Sequence, residues 1–351
     1  MNLSMKKLAL TLGAYLPFFV TAADWQQPLN SITDKVIVQG YQAYANSADK
    51  LRQDVTALCG QPSEAALELA QQDFKANVLD WQEVQWLNFG PVTYFMRYYA
   101  FQYWPDKKGV TQRQLRVLSQ NPETMEAPKF WNSASIAVRG LTAIESLLFH
   151  PDFSPMTSQE HCHLLEKVSL HHYESAKAVS TEWSNTQPQS WVFSEEGESF
   201  DANQVAFEQY LQQWVEHMSA VKDSKLETPI GYNSHGNLKL AEFYRSDMSL
   251  KTIQKNLQTY REIYHTGSPS LYDIALESQP EVAEQLEEQL KENVTIALQL
   301  PDNFFGEGLT KEQRIELARP LVSSISQSQS ALVSLMTQLG FQIGFNSRDG
   351  D

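Results

Sequence analysis

Apolar residues recur at helical intervals along almost the whole chain. Val36 to Leu58 is one such run, and Gly60, Gln61 and Pro62 stop it. Ser63 opens the next, which meets no proline or glycine until Gly90-Pro91. Val92 to Tyr103 is strongly aromatic and reads as a buried helix closed by Pro105, followed by a connector, Lys107 to Lys129, with one short helical piece. Ser133 to Phe149 reads as a buried helix ending at His150-Pro151. Thr157 to Ser184 is a long helix with Thr157 or Ser158 as cap and Glu160 in its first turn. Phe200 to Val221, Ser249 to Tyr264, Ser270 to Glu277, Glu281 to Leu300 and Thr310 to Leu339 complete the helices, and Pro320 should kink or break the last. Lys225 to Met248, around Pro229, Gly231 and Gly236, is loop-rich.

Strand signals are almost absent, because no two alternating runs flank an Asn-Gly or Asp-Gly turn. Long helices with short connections predict an all-α fold of antiparallel bundles. Asn185 to Ser199 holds Pro188, Gly197 and three glutamates, and marks a joint. Residues 24–190 are therefore expected to form an N-terminal bundle and 191–351 a C-terminal bundle beside it.

Residues 1–23 have the pattern of a cleavable signal peptide. Lys6 and Lys7 precede a short apolar run from Leu8 to Val20, and Ala22 and Ala23 suit a peptidase site. The expected address is the periplasm. No later stretch approaches the ~20 apolar residues of a membrane span, so the mature chain should have none. The formal net charge is −15, with no cluster of Lys and Arg beyond short pairs, which argues against a nucleic-acid partner. Such a surface attracts cations weakly. Cys59 and Cys162 are the two cysteines. In an oxidising compartment an even count favours a bridge, here from the end of one helix to the start of another, over two separate buried thiols. Closing a loop of that length would contribute ~4–5 kcal/mol.

The sharpest chemical lead is GLTAIE at 140–145. Helical spacing puts Ala137, Gly140, Leu141, Ile144 and Leu148 on one apolar face, with Thr142 and Glu145 as surface neighbours. A carboxylate on such a wall needs a partner, and a cation is the natural one. Glu145 could serve as a metal ligand, as a general base, or as the mate of Arg97 or Arg139 in an ion pair that locks two helices. Glycine inside a helix costs ~1 kcal/mol against alanine, so Gly140 implies that a backbone or ligand comes close.

This run resembles the signature of the imelysin family, Gly-x-His-x-x-Glu. Gly140 and Glu145 match, and Thr142 stands where the family has histidine. WQEVQWLNFGP at 81–91, WPD at 104–106 and GFNSRDGD at 344–351 are similar as well. The resemblance implies two helical bundles with a site in the cleft between them, and an association with iron uptake or iron-regulated expression. Gly140, Thr142, Glu145, Arg97, Asn88 and Asp106 are the residues expected to bind ligand there, with Glu145 the one candidate for a metal such as iron or another divalent ion. Threonine is a poor transition-metal ligand beside imidazole.

Other candidates are weaker. His163/Glu166 and His171/Glu174 have helical His-x-x-Glu spacing, but exposed helix surface is the simpler reading. Asp106, after Trp104-Pro105, suits a cap, and Asn346, Asp349 and Asp351 offer oxygens without the glutamate that closes a calcium loop. His-Glu-x-x-His and Gly-x-Ser-x-Gly are both absent. The favoured expectation is a periplasmic binding or accessory protein without catalytic residues, whose partner is a small ligand, a metal or another periplasmic protein. A metal-dependent peptidase is the alternative.

Overall fold

A computed structural model of the chain describes residues 24–127, 129–192 and 201–342. The expected signal peptide, part of the expected joint and the GFNSRDGD ending lie outside the described residues. Every regular element is helical: no strand occurs among the described residues.

Helix α1 (Gln26–Ile32) runs through a π-helical stretch, Thr33–Val38, directly into α2 (Gln39–Gly60). The chain turns back into α3 (Glu64–Val84), whose N-cap Ser63 accepts from the Ala66 amide at 3.2 Å. Then come α4 (Arg97–Phe101), α5 (Val110–Gln120), α6 (Phe130–Ser133), α7 (Leu141–Phe149) and α8 (Gln159–Ser184), the last capped by Ser158. Next along the described chain come α9 (Ala202–Ser219), capped by Asp201, a π-helical stretch Ala220–Glu227, and α10 (Thr228–Ile230). The closing set is α11 (Ser249–His265), α12 (Leu271–Ser278), α13 (Pro280–Gln299) and α14 (Lys311–Gln338). Reciprocal capping boxes start α12 (Ser270 with Asp273) and α14 (Thr310 with Gln313), satisfying amides that would otherwise lack acceptors. Helix α14 continues through Pro320.

The first group of helices packs α2 between α3 and α8, and the second packs α13 against α11, α12 and α14. The groups meet where α3 lies on α11 and α1 on α9. At that second contact Trp25 stacks on Phe207, 5.1 Å between ring centroids, and touches Phe341 near the end of the described chain. Buried apolar side chains from both groups form one continuous cluster. Cys59 and Cys162 are bridged, with Cα atoms 5.5 Å apart, tying the end of α2 to the first turn of α8.

Two expected helices are broken. The run Val92 to Tyr103 is a 3-10 turn, Gly90–Met96, followed by the short α4. Phe95 and Met96 have positive φ, and Tyr94, Phe95, Met96 and Tyr99 are exposed, not buried. The run Ser133 to Phe149 contains a 3-10 turn, Ile136–Val138, and helix α7 begins only after Gly140. The second break has an identifiable cause: the end of α4 and the start of α7 meet backbone to backbone at Gly140. The first falls at Tyr94–Met96, where the chain leaves the helical path before α4 begins.

Candidate functional site

Gly140 is the N-cap of α7, with Ala143 and Ile144 amides donating to its carbonyl at 3.0 and 3.1 Å. A Cβ on it would stand 2.2 Å from the Ala100 carbonyl oxygen and 2.4 Å from that of Phe101. Absence of a side chain is what permits this approach. Two backbone carbonyls cannot rotate away, so Gly140→Ala should lower stability by about 3 kcal/mol, the upper range of overpacking costs. A fall in the urea midpoint at unchanged slope is the expected observation.

Two residues on, the Thr142 hydroxyl donates to the Tyr103 carbonyl at 3.2 Å. Glu145 is 2% exposed. Its Oε1 accepts from the Arg245 amide (3.1 Å), the Ser246 amide (3.0 Å) and the Ser246 hydroxyl (2.8 Å). Its Oε2 faces the Arg245 guanidinium at 3.5 Å. Burial pushes the Glu145 carboxyl above its ordinary pKa, and the Arg245 charge and these donors oppose the rise. The cation expected opposite Glu145 is thus one of the chain's own, from the loop before α11.

Neither arginine expected to pair with Glu145 reaches it. Arg97 makes a two-pronged contact with Glu182 on α8, at 2.6 and 2.9 Å, and donates to the Pro91 carbonyl. A planar guanidinium matches a carboxylate in this way, which answers the cost of placing Arg97 among aromatics. Arg139 donates to the Ala134 carbonyl. Asp106 caps α5: its carboxylate accepts from the Val110 and Thr111 amides at 2.8 and 2.9 Å. The Asn88 backbone amide donates to Gln213 on α9 at 3.2 Å.

These residues divide among separate cavities. Thr142, Glu145 and Asp106 line one of about 180 Å³, together with Tyr244 and Arg245. Asn88 lines a second, of about 350 Å³, with Trp86, Gln85, His217 and Lys225. Gln102 and Trp104 border both. Arg97 faces a third, and Gly140 lines none of the three.

The second cavity exposes a buried polar network that sequence reading missed. Lys225, in the π-helical stretch after α9, reaches Gln82 (2.7 Å) and Gln85 (2.6 Å) of α3, Asn256 of α11 (2.7 Å) and the Glu242 carboxylate (2.9 Å). Glu242 also accepts from Gln102 at 2.6 Å and Gln85 at 3.1 Å. Both charged side chains are 2% exposed or less. Burial pulls the Lys225 pKa down, while the Glu242 charge and hydrogen bond oppose it. His217 continues the chain from Gln85 to Tyr260. The region read as loop-rich thus supplies the buried Lys225–Glu242 charge pair between the two helical groups. Its π-helical start is the one local clue, since such turns frequently mark functional positions.

The histidine-rich stretch of α8 is not uniformly surface. His163 pairs with Glu126 at 3.2 Å, His171 stacks on Trp131, and His172 is buried, bonded to Asn77 and Tyr44. Among the described residues no three His, Cys, Asp or Glu side chains converge to hold a metal. Around Glu145 the donor set does not fit one: its oxygens are engaged by four protein donors, and Thr142 is turned to a carbonyl.

A family model described as imelysin, peptidase M75, matches residues 37–332. Iron-regulated protein A of Synechococcus elongatus is 21% identical over 276 residues, 75% of this chain and 72% of that protein. Among solved structures, an imelysin-like protein from Psychrobacter arcticum superposes with a TM-score of 0.78 at 17% identity, over 92% of this chain and 98% of the other. A protein described as an iron-regulated protein A precursor from Parabacteroides distasonis gives a TM-score of 0.72 at 13% identity, over 90% and 95%. With the family model spanning most of the chain, and the fold shared over nearly all of it, the protein belongs to the imelysin family.

Proposed function

We propose that this is a periplasmic accessory protein linked to iron uptake or its regulation, which holds a ligand between the two helical groups and performs no catalysis. The iron-regulated names of two relatives support the link to iron, and the precursor description, with the signal-like residues 1–23, supports export. One observation carries the ligand site: Lys225, with Gln85 and Gln102 of its buried network, borders a 350 Å³ cavity between α3 and α9, walled by Trp81, Trp86 and Trp104. Convergent polar groups beside an apolar wall are the usual anatomy of a small-molecule pocket. Thr142, Glu145 and Asp106 form the floor of the adjoining smaller cavity, joined to it at Gln102 and Trp104. A polar small molecule suits this lining better than a bare metal ion, because the strong donors and acceptors already pair with one another.

The test is native mass spectrometry of protein purified without chelator from iron-starved cells, with elemental analysis and a peptide-cleavage assay. A substoichiometric or full organic adduct, lost in Trp104→Ala, is the expected result. A bare polypeptide mass in both forms would count against a ligand in the seam. Stoichiometric transition metal, with cleavage abolished by Glu145→Gln, would support a metal-dependent peptidase instead.

A further inference from the structure

On the other side of α4, a cavity of about 1020 Å³ lies between α4, α6, the Ile136–Val138 turn and α8. Its wall has an aromatic part. Trp131 and His171 stack face to face, with centroids 4.6 Å apart and planes 10° from parallel. Phe95 stands at the same cavity, 79% exposed, held out on a backbone where both it and Met96 have positive φ. A large exposed ring on a backbone that costs free energy to maintain is not explained by core packing.

Its charge is equally distinctive. Arg97, Lys129 and Arg139 line the cavity against a single carboxylate, Glu174. Arg97 is committed to Glu182, but neither Lys129 nor Arg139 has a carboxylate partner among the described residues. The chain has 42 acidic residues and 27 basic ones, so a local surplus of unpaired cations runs against its overall balance. His171 adds no charge near neutral pH: burial, aided by Arg139, holds its imidazole down to about 4.

We propose that this cavity binds a small organic anion with a flat apolar body. The ring system packs on Trp131, His171 and Phe95, and a carboxylate or sulfonate is met by Arg139 and Lys129. Each half of the lining excludes a simpler occupant. Inorganic phosphate gains nothing from the aromatic wall, and a neutral hydrocarbon leaves two cations unanswered. The volume is that of a drug-sized ligand. This site is separate from the seam between the helical groups and does not depend on the function proposed there.

Titrating the full mature chain with 1-pyrenebutyrate, alongside pyrenebutanol and pyrenebutylamine, tests it by fluorescence anisotropy and tryptophan quenching. One saturable site is expected, with the butyrate bound about tenfold more tightly than the alcohol, as charge-assisted contacts would give, and the amine weakest. Lys129→Gln, on an exposed side chain whose loss does not endanger folding, should remove about half of that logarithmic preference, and Arg139→Gln the rest. Trp131→Leu should weaken all three probes, whereas Trp104→Ala, in the seam, should leave them unchanged. Equal affinity for the three probes, no saturable binding, insensitivity to Lys129→Gln, or loss on Trp104→Ala would each overturn the proposal.

Discussion

Replacing Lys225 by methionine should destabilise the protein by about 3–5 kcal/mol, the usual consequence of removing one partner from a buried ion pair. The reason is what stays behind. Glu242 would remain 1% exposed without its counter-charge, and the carbonyl oxygens of Gln82, Gln85 and Asn256 would lose a shared donor. Glu242→Gln alone should also destabilise, by stranding the ammonium. The double variant Lys225→Met/Glu242→Gln should cost less than the sum of its parts, because neither charge is then left buried alone. Urea unfolding of the four proteins measures this directly. Additive single effects would mean that the pair is not coupled, and a network so arranged could not set the relation between α3 and α11.

Removal of the Cys59–Cys162 bridge is the second large effect. The cysteines are 103 residues apart in sequence, and a cross-link closing a loop of that size restricts the unfolded chain by about 4–5 kcal/mol in the chain-entropy model. Cys59→Ala/Cys162→Ala, or reduction of the native chain, should therefore lower the urea midpoint with little change in the folded far-UV signal. The bridge joins the end of α2 to the start of α8 and touches no cavity discussed above. Binding of pyrenebutyrate under native conditions should accordingly survive its loss. A stability change below about 1 kcal/mol would show that the unfolded chain is already compact enough to make the cross-link redundant.

Sequence and structure agree most closely where the signal is local. Ser63, Ser158, Ser270 and Thr310 cap helices because a hydroxyl three residues ahead of a free amide can bond it in any context. Asp106 does the same work through a carboxylate, accepting from amides four and five residues on. Agreement weakens where hydrophobicity was taken for burial. Tyr94, Phe95 and Met96 read as core, yet they are exposed: the positive φ of Phe95 and Met96 turns the chain out of the helical path, and Tyr94 meets the Trp191 ring, 4.9 Å between centroids. The helix across Gly140 read as unbroken, because periodicity registers apolar spacing and not the approach of the Ala100 and Phe101 carbonyls.

Local pattern alone determined the all-helical fold, its caps and the family signature, because each depends on residues within a few positions of one another. Pairing was another matter. Glu145 meets Arg245 and Ser246, 100 and 101 residues away, and Lys225 meets Gln82, 143 away. Several arginines were equally available to Glu145 on paper, and only the docking of the loop before α11 onto α7 selected one. That choice turned an apparent cation site into an internal ion pair. Tertiary packing also set which side chains line the cavities beside Trp104 and Trp131, which no reading of spacing could have assigned.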